Sequence, residues 1–63
     1  MTFAHQLRTL REAKGLSREA LADKAGISRQ SIALLEDGDR QPSLATAEKL
    51  AKALGKKLRI FET

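Results

Sequence analysis

The 63-residue sequence has no cysteine, valine, tyrosine or tryptophan, and only two phenylalanines, one proline and one histidine. Without cysteine there are no disulfides, no thiolate nucleophile and no cysteine-based zinc site, which suits a reducing compartment and a cytoplasmic address. The missing β-branched and aromatic types offer strands little, whereas ten Leu and ten Ala among 26 hydrophobic residues favour helices. Long apolar runs are also lacking. The longest is the four residues from Ile32 to Leu35, and no basic stretch leading into an apolar one opens the chain. Neither a membrane span nor a signal peptide is expected, and the protein reads as soluble. A chain this short buries only about 60% of its unfolded surface, so residues 1–63 are expected to form one small domain.

Enzymatic chemistry finds no foothold. His5, the only histidine, lies near the N-terminus on a polar face and reads as solvated. Ser17, Ser28 and Ser43 are all accounted for as helix caps, so no nucleophile with an adjacent base and no metal-ligand cluster can be assembled, and no cofactor is expected. What is present is charge: twelve Lys and Arg against eight Asp and Glu, a net +4 that favours polyanionic partners. It is unevenly spread, with three acidic residues and one basic over 34–41, between two basic stretches.

Helix signals follow one another along the chain. Thr2 can cap a first helix carrying Phe3, Leu7, Leu10 and Lys14 on one face, ended by Gly15. Ser17 opens a second, with Glu19 in its first turn and Leu21, Ala22 and Ala25 facing inward, and Gly26 stops it. Ile27 is an apolar staple and Ser28 caps a third helix running to about Glu36, before Asp37 and Gly38. Pro42 makes residues 39–42 a loop, Ser43 caps a fourth helix, and Leu44, Ala47, Leu50, Ala51 and Leu54 form its apolar stripe before Gly55. Residues 57–62 alternate, with Leu58 and Ile60 on one side and Lys57, Arg59 and Phe61 on the other, which predicts a short strand. The fold class is therefore all-α: four helices with a short C-terminal strand, which either pairs with the same strand of a second chain or is left as a frayed tail.

The break at Gly26-Ile27-Ser28 joins two short helices by a tight turn, so one can brace the other against a surface. Wound at about 100° per residue, the third helix turns Ser28, Ile32 and Leu35 toward the core, with Gln30, Ala33, Leu34 and Asp37 away from it and Arg29 at the flank. Arg can bond guanine and Gln adenine bidentately in the DNA major groove, and small Ala33 permits close approach.

At this point residues 7–55 resemble the helix-turn-helix domain of the Cro and phage-repressor family, also called the xenobiotic-response-element type. The resemblance rests on LRTLREAKGLSREALADKAGISRQSIALLEDG and RQPSLATAEKLAKALG: Arg11 before Gly15-Leu16-Ser17, Leu21-Ala22, Gly26-Ile27-Ser28, Glu36-x-Gly38, Pro42-Ser43 and Ala53-Leu54-Gly55. It implies a helix-turn-helix over 17–36, an ion pair between Arg11 and Glu36, base reading by Arg29, Gln30, Ala33 and Leu34, and backbone contacts from Ser17, Ser28, Arg18 and Arg40. The implied function is a repressor-like transcription regulator reading a palindromic operator as a homodimer, with Leu58, Ile60 and Phe61 in the dimer contact. Two alternatives stand beside it: an antitoxin that also binds a protein toxin, or an interaction adaptor without DNA binding. Acidic Asp37 and Asp39, and Leu34 on the outward face, are the features that depart from the family pattern.

Overall fold

Four hydroxyl side chains open four helices. The computed structural model of the chain describes residues 2–61. Thr2, Ser17, Ser28 and Ser43 each have extended backbone and accept a hydrogen bond from the amide three residues on, at 3.0–3.2 Å. Each cap satisfies a donor that the first helical turn would leave bare. The helices that follow are α1 (Phe3–Ala13), α2 (Arg18–Ala25), α3 (Arg29–Asp37) and α4 (Leu44–Ala53).

The link between α2 and α3 depends on one backbone conformation. Gly26 sits at φ +72°, in the left-handed region, and its amide and that of Ile27 both donate to the Ala22 carbonyl, at 2.9 and 3.1 Å. The chain thus reverses at once and Ser28 can open α3. Around this joint α3 packs on both α1 and α2, while α2 also packs on α4.

The core draws on every helix. Leu7, Leu21, Ile32, Leu35, Leu50 and Leu54 are fully buried, with Ala22 and Ala25 between them. Burial of each large side chain contributes about 1.5–3 kcal/mol. The apolar core holds α3 by Ile32 and Leu35, which leaves Arg29, Gln30 and Asp37 exposed. No helix among the described residues is long and apolar enough to cross a membrane.

The structure departs from the expectations at several points. Residues 58–61 form a 3₁₀ turn, Leu58–Phe61, in place of the predicted strand, and residue 62 of that prediction lies outside the described residues. With no strand among the described residues to pair with, this segment closes its own hydrogen bond, Ile60 amide to Lys57 carbonyl at 2.9 Å. Residues three apart share a side in such a turn. Leu58 and Phe61 are accordingly half-buried and Ile60 is exposed, so the expected pairing of Leu58 with Ile60 on one face does not hold. Phe61 seats its ring 4.7 Å from that of Phe3, at 52°, which ties the C-terminal turn to the start of α1. Leu44 is 67% exposed, because the buried stripe of α4 begins one turn later at Ala47. Lys14 and Ser28, expected on inward faces, are exposed as well, since each stands at a helix boundary beyond the packed residues.

Candidate nucleic-acid interface

Because Ile32 and Leu35 are the buried residues of α3, the two residues that open the helix project away from the bundle. Arg29 and Gln30 are both exposed there, and Arg29 enters no ion pair among the described residues. Ala33 and Leu34 follow one turn on and are half-buried. The outward exposure expected for Leu34 is therefore only partial: a residue beside buried Leu35 on a nine-residue helix is shielded by its neighbours.

The first turn of α3 carries a small hydroxyl network. Ser28 Oγ lies 2.8 Å from Ser31 Oγ, and Arg40 Nη1 donates to Ser31 Oγ at 3.4 Å. Arg40, from the loop between α3 and α4, is thereby brought beside the N-terminal end of α3 while staying exposed. Ser31 is the residue that sequence reasoning passed over. Its position three after the capping serine is the signal that would have found it.

The opposite end of α3 is organised by a buried carboxylate. The Glu36 side chain is fully enclosed and receives Arg11 in bidentate fashion, Nε to Oε2 at 2.7 Å and Nη2 to Oε1 at 3.1 Å. Arg11 Nη1 donates to the Leu16 carbonyl at 2.7 Å, so one guanidinium joins α1, the α1–α2 loop and α3. Its hydrogen bond with Glu36 raises the Arg11 pKa above the ordinary arginine value, against the opposing effect of burial, and Arg11 stays charged at any working pH.

Arg18, the first residue of α2, reaches the same carboxylate. Its Nε donates to Glu36 Oε1 at 3.3 Å and its Nη2 lies 3.7 Å from Asp37 Oδ1. Arg18 and Arg40 thus stand toward opposite ends of α3, with exposed Arg29 and Gln30 at the Arg40 end. Ser17, whose hydroxyl caps α2, precedes Arg18 directly. Asp37 and Asp39 are exposed at the Arg18 end. Leu58, Ile60 and Phe61 take no part in this surface; the turn that carries them packs against α1 and α4.

Such an arrangement offers flexible polar and cationic groups on a protruding helix with a guanidinium at each end, the form of a surface that enters a groove lined by phosphates. Comparison with known proteins points the same way. A family model described as helix-turn-helix matches residues 7–61. The chain is 44% identical over 50 residues to an uncharacterized helix-turn-helix-type transcriptional regulator of Methanothermobacter thermautotrophicus, spanning 79% of this chain and 72% of that one. It is 44% identical over 54 residues to the helix-turn-helix-type transcriptional repressor RghR of Bacillus subtilis, covering 84% of this chain but 40% of the repressor. Among solved structures it is similar to the restriction-modification controller protein C.AhdI from Aeromonas hydrophila, with TM-score 0.91 and 44% identity over 94% of this chain and 89% of that one.

Proposed function

The chain belongs to the helix-turn-helix family of transcriptional regulators whose model spans residues 7–61, and from that premise we propose that it is a repressor-like regulator that reads a palindromic operator in the cytoplasm as a homodimer. The observation that carries this reading is the exposed start of α3, where Arg29 and Gln30 project with the Arg40 guanidinium close by and Arg18 at the far end of the helix. Arg29 and Gln30 are the base readers, joined by Ala33 and Leu34 where the helix meets the groove. Ser17, Arg18, Ser28 and Arg40 position the helix on the backbone, and Arg11 with Glu36 holds α1 and α3 at a fixed setting. Occlusion of a promoter by the bound protein is the mode of repression.

Homodimerisation follows from the small number of base readers on one helix, since two recognition helices one DNA turn apart read a palindrome. Of the three residues expected at the dimer contact, Leu58 and Phe61 are turned toward the bundle and Ile60 is left 38% exposed. Ile60 borders a shallow, largely apolar groove of about 180 Å³ with Gln6, Thr9 and Leu10. We assign the contact to this groove and to a second copy of the chain. The adaptor alternative has less support, because Leu34 is half-buried and Asp37 is engaged by Arg18.

Titration of salt against affinity for duplex DNA tests the reading. A dimer that docks through phosphates loses affinity steeply, with a log-log slope of magnitude about 4–8. A salt-insensitive interaction, or none, would overturn it.

A further inference from the structure

Asp37 is placed where acidic charge is unfavourable twice over. It is the last residue of α3, where the helix dipole is negative and no basic residue of that turn offsets it, and it belongs to the helix proposed to approach phosphates. The nearby cation comes from another element: Arg18, with Nη2 3.7 Å from Asp37 Oδ1. Both side chains reach solvent, Arg18 at 37% exposure and Asp37 at 55%.

On the strength of the DNA-binding reading, we propose that Asp37 occupies at Arg18 the place that a DNA phosphate takes in the complex, and so sets duplex affinity by competing for that guanidinium. The geometry separates two roles within the cluster. Glu36 accepts from Nε of Arg18 at 3.3 Å and orients the guanidinium, leaving its outer edge toward Asp37. Carboxylate and phosphate oxygens suit the same planar donor fork, so one can replace the other there.

Exchange is cheap because Arg18 is not what balances the buried charge. Glu36 keeps Arg11 on both oxygens, at 2.7 and 3.1 Å, whether or not Arg18 leaves. No buried carboxylate is stranded when Arg18 swings to a phosphate, so the usual penalty for breaking a buried pair is avoided. What is lost is the solvent-exposed Arg18–Asp37 pair, whose modest strength sets the size of the effect, together with one 3.3 Å hydrogen bond to a carboxylate that Arg11 still pairs.

The test is a double-mutant cycle read by fluorescence anisotropy on one labelled mixed-sequence duplex at fixed, moderate salt. Asp37→Asn in the otherwise wild-type chain should tighten binding about twofold to fivefold. In an Arg18→Gln background the same change should lose its gain or retain less than half of it. Arg18→Ala supplies a second background should the first fold poorly, and thermal melts of every variant establish that the folded chain is being compared. An equal gain in all backgrounds would mean that Asp37 repels the duplex directly, and no gain in the wild-type background would mean that it does not compete; either overturns the proposal while leaving the DNA reading in place. A wild-type chain that binds no duplex removes that reading and the proposal with it.

Discussion

Arg29 and Arg40 carry the same charge in opposite circumstances, and their difference is the residue-scale content of the account. Arg29 leaves the first turn of α3 without an ion pair among the described residues, while Arg40 rests beside that turn against Ser31. In the proposed complex Arg29 meets a base edge and Arg40 a phosphate. Arg29→Ala should then relax preference at one base position per half-site, at about 1–3 kcal/mol, whereas Arg40→Ala should weaken every sequence alike. Competition binding across a library of single-base operator changes distinguishes the two, and identical profiles would refute the division of roles. Residue types and spacing made the exposed pair Arg29 and Gln30 legible, because winding the helix leaves them no apolar partner. The second attachment of Glu36 was not legible. Arg18 lies eighteen positions from Glu36 along the chain, and nothing in a local pattern tells which of several arginines reaches a given carboxylate.

Elements were the most readable level, for a physical reason: their boundaries are set by local chemistry. A hydroxyl that accepts from the amide three residues on, or a glycine that turns left-handed, acts within a few residues and leaves its mark in the sequence. Gly26 offers a direct check. A Cβ there would meet nothing within 4 Å, so any cost of Gly26→Ala comes from forcing an L-residue to φ +72°. Urea denaturation should show a loss of about 1–2 kcal/mol, and a neutral substitution would mean that the turn relaxes to another conformation. The C-terminal segment failed to be readable because a few alternating residues fit a strand and a 3₁₀ turn equally well. The decision lay with Phe3, some sixty residues away, against which Phe61 packs. Leu44 shows the same limit: its spacing from Ala47 is correct for the helix, but the spacing does not say where the core ends.

For the whole molecule, the fold leaves two large apolar side chains exposed among the described residues, Leu44 and Ile60. The dimer proposed through Ile60 has consequences that removal of the C-terminal turn would blur, because Phe61 would leave Phe3 at the same time. Ile60→Glu places a charge in the contact while keeping that ring pair. The central claim is that two copies of α3 read two halves of one operator, and selection of bound sites from random duplex DNA tests it most directly. The wild-type chain should enrich an inverted repeat whose half-sites are centred about 10 base pairs apart or at a multiple of that spacing. Under the same selection Ile60→Glu should yield single half-sites at lower affinity. An enriched but non-palindromic wild-type consensus, or no enrichment at all, would contradict the account.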